Sequence, residues 1–146
     1  CQYAAEDGKM TDWHTMHLGQ YFASNVGLVI CEATGVEPRG RISPWCVGLY
    51  NDETQAAMAK VIKFCKGLSD SRFGLQLAHA GRKGSTERPW EGNGGVPPNK
   101  GGWQPVGPSD QPFADGYTHP RRHTTDEVAA LVSKATGKGQ RRDSTR

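Results

Sequence analysis

The chain has 146 residues, with 18 Lys and Arg against 15 Asp and Glu, a length that suits one domain with a sizeable core. Gly and Pro make up about 19% of it, and no apolar run approaches the roughly 18 residues of a membrane span, so collagen, a disulfide scaffold, a membrane protein and wholesale disorder are excluded. Five basic residues and one acid fall between Lys134 and Arg146, so residues 1–133 carry a net charge of −1 and no electrostatic footprint for nucleic acid.

The chain opens on Cys1 rather than Met and is expected to begin partway into a longer sequence, with Cys1 and Tyr3 at a strand end. Thr11 to Asn25 is predicted as a helix, capped by Thr11 or Asp12, with Trp13, Met16, Leu18, Tyr21 and Phe22 on its apolar face. Val26 to Ala33, VGLVICEA, is apolar at nearly every position, as a strand buried on both faces of a parallel sheet would be. A Pro- and Gly-punctuated loop follows from Glu37 to Asn51. Asp52 is expected to cap a second helix that ends at Gly67, with Ala56, Met58, Ala59, Ile62 and Cys65 or Phe64 inward. Phe73 to His79, FGLQLAH, repeats the strand pattern. This alternation predicts an α/β fold with a parallel sheet and right-handed crossovers.

Residues 80–123 form a segment rich in Gly, Pro and Trp, too long for an ordinary connection. Trp90, Trp103, Phe113 and Tyr117 favour an ordered, partly packed loop. Thr125, Asp126 and Glu127 are expected to cap a third helix carrying Val128, Ala129, Leu131 and Val132. After Val132 the apolar pattern fails, and residues 134–146 read as a disordered basic tail.

Each strand turns polar at its C-terminal end: Cys1 and Tyr3, then Glu32 to Thr34, then Gln76 and His79. In barrels and doubly wound sheets that end carries the ligand site. The alternative is ordinary polar residues at strand ends. His14 and His17 share a helix face, but no third ligand lies at useful spacing and no metal site is expected. Gly92 to Gly95 and Gly101-Gly102 fit neither the dinucleotide fingerprint nor the P-loop and read as loop flexibility. Four cysteines, at 1, 31, 46 and 65, form no close pair. They read as reduced thiols in a cytoplasmic protein, with Cys31 an inert core thiol.

CQY at 1–3, TDWHTMHLG at 11–19, VGLVICEATGVEPRGRIS at 26–43 and GLQLAHAGRKGS at 74–85 resemble the old yellow enzyme family. So do PWEG at 89–92, VGPS at 106–109 and PFADGY at 112–117. The nearest branch resembles the bacterial NADH:flavin oxidoreductases of the xenobiotic reductase type, which carry an active-site cysteine. The resemblance covers roughly residues 1–133 and implies the first three strand–helix units of a (β/α)8 TIM barrel, with 80–123 as a long capping loop. It implies non-covalent FMN and NAD(P)H as reductant, with hydride passing through the flavin to an activated alkene or similar small-molecule acceptor. By the same resemblance, Cys1 would lie near the flavin and tune its potential, and Tyr3 would line the substrate pocket. Ala33 would contact the flavin through its backbone, and Gln76 would hydrogen-bond its pyrimidine edge. Neither nucleic acid nor membrane is an expected partner, and the parent enzyme would be a homo-oligomer.

The family's paired acceptor-binding His residues, its downstream Tyr donor and its phosphate grip have no matching positions here. The chain is therefore expected to be an N-terminal fragment with a tail unrelated to the family, a catalytically incompetent piece being the alternative to an active flavoenzyme. Nucleic-acid binding through the tail is a third, weaker reading.

Overall fold

Two apolar runs separated by an amphipathic helix give a strand–helix–strand unit whose strands pair in parallel. The computed structural model describes residues 1–92 and 94–140, so the part of the basic tail from 141 to 146 lies outside the described residues. In chain order come α1 (Asp12–Ala23), β1 (Leu28–Gly35), α2 (Asp52–Lys66) and β2 (Arg72–Ala78). The two-residue strands β3 (Val106–Gly107) and β4 (Arg121–Arg122) follow, then α3 (Thr125–Gln140). β1 pairs with β2 and β3 with β4, both in parallel, so the fold is α/β. No helix among the described residues is long and apolar enough to cross a membrane.

The core lies between the two helices and one face of the β1–β2 sheet. Val29 and Cys31 of β1 meet Leu18 and Phe22 of α1 and Met58, Val61 and Cys65 of α2 there, with Phe73, Leu75 and Leu77 of β2 packed against them. The other sheet face is open, and Leu28 and Ile30 are 54% and 64% exposed on it. β1 is therefore buried on one face only, against the expectation from its unbroken apolar run.

The helices turn different residues inward than their apolar composition suggests. In α1 the buried stripe is His14, Leu18 and Phe22, spaced four apart, while Trp13, Met16 and Tyr21 are exposed. His14 earns its place inside by taking the Thr11 amide N–H on Nδ1 at 3.0 Å, the part Glu or Gln plays in a capping box. In α2 the inward residues are Thr54, Met58, Val61 and Cys65, and Ala56, Ala59 and Phe64 face out. Its cap is Asn51 rather than Asp52: Asn51 Oδ1 accepts from Thr54 N at 2.8 Å. Asp52 and Glu53 instead sit in the first turn, where they offset the helix dipole, and Gly67 ends the helix as expected.

Cys1 to Ala5 form no strand. Tyr3 has φ +53°, a left-handed conformation that breaks an extended run, and the segment is held by the Ala5 N–H bonding to Trp45 O at 3.0 Å. The long segment 80–123 is ordered around buried Ser85, whose Oγ donates to Val96 O and accepts the Trp103 N–H. Trp103 joins it to the sheet end by donating Nε1–H to Arg39 O at 3.0 Å, whereas Trp90 and Phe113 stay exposed. Gly102 serves close approach rather than flexibility, because a Cβ there would overlap the Val96 carbonyl.

Thr124, not Thr125, caps α3: its Oγ1 accepts from Glu127 N at 3.2 Å while Glu127 Oε2 accepts from Thr124 N at 2.9 Å. The helix continues past Val132 to Gln140, through residues expected to be disordered. Lys134, bound to Glu37 at 2.6 Å, ties that extension to the strand ends.

Candidate functional site

The two central strands bring their polar C-terminal residues together by register. Ile30 faces Gly74 and Cys31 faces Leu75, then the register shifts so that Ala33 faces Gln76 and Thr34 faces Leu77. Glu32 is the extra residue, a bulge that brings Ala33 into line with Gln76. Ala33 is half-buried and Gln76 exposed, and among the described residues the Gln76 carboxamide makes no hydrogen bond. A small side chain and a free primary amide thus sit side by side, the amide offering both donor and acceptor.

The segment carrying Cys1 and Tyr3 is bound to the same end. Gln2, between them, donates its backbone N–H to Glu32 Oε2 at 3.0 Å, one residue before Ala33. Gln2 Oε1 in turn accepts from Trp13 Nε1 at 3.1 Å. Cys1 is exposed and Tyr3 half-buried. Burial, then the nearby Cys46 and Glu32, raise the Tyr3 phenol above its ordinary pKa, so its hydroxyl is protonated at neutral pH. Behind it, burial pushes the Cys31 thiol up to about 12 and leaves it an inert core group, as its apolar surroundings suggested.

Composition and spacing gave no sign of the aromatic corner beside Tyr3. Its ring meets Trp90 edge-on, centroids 5.7 Å apart, and Trp90 is otherwise 65% exposed. Arg88 lies over Trp45 at 4.0 Å and reaches Trp90 at 6.0 Å, bracing the loop after β2 against the loop after β1. The clustering of Trp90, Trp103, Phe113 and Tyr117 within residues 80–123 is the signal that pointed to ordered structure, without saying which rings meet.

A second cluster closes the strand ends. Buried Glu37 accepts from Arg39 Nε at 2.7 Å, His79 Nε2 at 3.1 Å and Lys134 Nζ at 2.6 Å. Burial alone would raise the Glu37 carboxyl, but these three donors outweigh it and hold it at about 2. His79 Nδ1 accepts from Gly81 N, which leaves its Nε2 as the donor to Glu37. Next to it Glu127 is held well below the carboxylate range by paired hydrogen bonds from Arg121. These contacts anchor the loop after β1, the end of β2 and α3 to one another. His79 belongs to this bracing; among the described residues no three acidic, His or Cys side chains form a metal-holding group.

No family model matches the chain. It is 37% identical to an NADPH dehydrogenase of Bacillus cytotoxicus over 94% of its own length and 38% of that protein's. It is 42% identical to NADH:flavin oxidoreductase FG08077 of Gibberella zeae over 70% of its length and 25% of that protein's. Among solved structures, morphinone reductase superposes with a TM-score of 0.69 at 25% identity, covering 96% of this chain and 39% of that one. The old yellow enzyme homologue from Zymomonas mobilis superposes at 0.62 and 25% identity, over 94% and 39%. The chain thus spans between a quarter and two fifths of the length of these proteins.

Proposed function

Because this chain belongs to the old yellow enzyme family, we propose that it forms one wall of an FMN-dependent oxidoreductase that oxidises NAD(P)H and reduces a small-molecule acceptor. In this reading β1 and β2 stand as neighbouring strands of a (β/α)8 barrel, with the Cys1–Tyr3 segment leading from the strand before them. The acceptor class is an activated alkene, such as that of an enone.

The observation that carries the reading is the register pairing of Ala33 with Gln76 at the open ends of two parallel strands. The residues present fit a flavin. Ala33 leaves room for a flat ring to approach the strand, and the Gln76 amide can both donate to and accept from an imide edge. Cys1 brings an exposed thiol to that end, suited to tuning the ring's potential. FMN, when bound, supplies the hydride chemistry between NAD(P)H and acceptor. The chain's own part is to hold and orient. The Tyr3 hydroxyl keeps its proton on Oη and donates to an acceptor carbonyl, while Trp90 packs edge-on against the Tyr3 ring and helps fix its direction.

A second reading, a chain without catalysis of its own, is favoured by the uncovered sheet face at Leu28 and Ile30. Mixing the chain with FMN and desalting separates the two. Retained yellow flavin with quenched fluorescence supports the first; soluble chain without flavin supports the second.

A further inference from the structure

We propose that Glu32 is a positioning residue, its carboxylate clamping the Cys1–Tyr3 segment to the end of β1 with buried His14 as its backing. The clamp rests on the reading that Cys1 and Tyr3 face flavin and acceptor.

Glu32 is the residue skipped by the β1–β2 register, and a bulge re-aims the side chain it carries. One carboxylate oxygen, Oε2, takes the Gln2 backbone N–H at 3.0 Å. The other, Oε1, lies 3.6 Å from Nε2 of His14, whose side chain is 1% exposed. His14 Nδ1 already accepts the Thr11 N–H, so the proton of the neutral ring sits on Nε2. That Nε2 has no hydrogen-bond partner among the described residues, which leaves Glu32 as the group its dipole serves. A nearly buried carboxylate is therefore held by one backbone donor and one imidazole dipole, with α1 supplying the imidazole.

The clamp answers a local need. Tyr3 is held at φ +53°, a left-handed conformation that favours glycine and is uncommon for a bulky residue, and the segment forms no strand that would fix it. Glu32 grips the residue just before it. The charged and titratable groups around Tyr3 are Glu32 of β1, Cys46 of the following loop, and Arg88 of the loop after β2 through Trp90.

Amide hydrogen exchange on the full chain and its Glu32→Ala and Glu32→Gln variants tests the clamp without flavin or acceptor. A bond to a charged acceptor is lost in Glu32→Ala, so Gln2 exchange rises about tenfold or more while α2 amides keep their protection. Glu32→Gln retains an acceptor oxygen and keeps Gln2 protection within about threefold of wild type. Without the charge, its tyrosinate titration midpoint for Tyr3, assigned with Tyr3→Phe, falls.

Unchanged Gln2 exchange in Glu32→Ala overturns the clamp, as does a Glu32→Gln chain that loses Gln2 protection as fully as Glu32→Ala. Should Glu32→Ala unfold, Glu32→Gln decides alone on the same threshold. A chain that keeps Gln2 protection yet binds no FMN refutes the functional reading and leaves the clamp standing.

Discussion

Ala33 stands across from Gln76 because one residue, Glu32, is inserted into β1 just before it. Without the shift the alternation of the strand would turn Ala33 toward the helices, and the small residue and the free amide would lie on opposite faces. The same insertion frees Glu32 to hold the segment that carries Cys1 and Tyr3.

Enlarging Ala33 separates site from fold. Ala33→Leu places a branched side chain on the open face, where the helices do not pack, so stability changes by less than about 1 kcal/mol. Flavin retention is expected to be lost all the same. Thermal melts and desalting with FMN check both halves, and a variant that keeps its flavin contradicts the role given to Ala33.

Glu37 makes stability depend on acid. Its folded carboxyl, held at about 2, lies below the ordinary value of 4.5, so the stability it contributes is present above pH 4.5 and is lost as pH falls toward 2. Because the group is buried, that contribution is on the order of 3 kcal/mol. Urea melts of wild type and Glu37→Gln should differ by about that much at pH 7 and converge by about pH 2. A difference that does not shrink in acid contradicts the network.

Thiol labelling should sort the cysteines. Cys1 is exposed, while Cys31, Cys46 and Cys65 are buried with thiols raised by burial, Cys31 up to about 12. One thiol per chain is expected to react with an aromatic disulfide at pH 8 in the folded state, and the other three only in denaturant. Mass spectrometry finding Cys31 labelled early would contradict the core described above.

Gly40 approaches His79 closely enough that a Cβ would lie 2.7 Å from its ring. Gly40→Ala must push the imidazole away from Glu37, at a cost of about 1–3 kcal/mol. The loss should be read in urea melts at pH 7; an unchanged midpoint would show that the ring shifts freely.

Much of this was legible in the residues, and the exceptions share a cause. The apolar runs at 26–33 and 73–79 and the amphipathic stretch between them encode local structure, so strand, helix and parallel order follow from pattern. Hydrophobicity alone misjudged α1, because a polar His14 could go inside once its Nδ1 had the Thr11 N–H to accept, while Trp13 and Met16 could stay out. The left-handed turn at Tyr3 and the inserted Glu32 leave no compositional trace. Glu37 and Lys134 are 97 positions apart, and only the completed fold makes them neighbours. The same contact ties the start of the α3 extension, whose composition reads as disordered, to the strand ends.

The most direct test of the account is a fluorescence titration of FMN with the wild-type chain and with Gln76→Leu, which removes both donor and acceptor from the open end of β2. Saturable quenching by the wild type, weakened about tenfold or more in Gln76→Leu at unchanged thermal stability, is the predicted result. Equal quenching by both chains, or none by a folded wild type, would contradict a flavin wall built on Ala33 and Gln76.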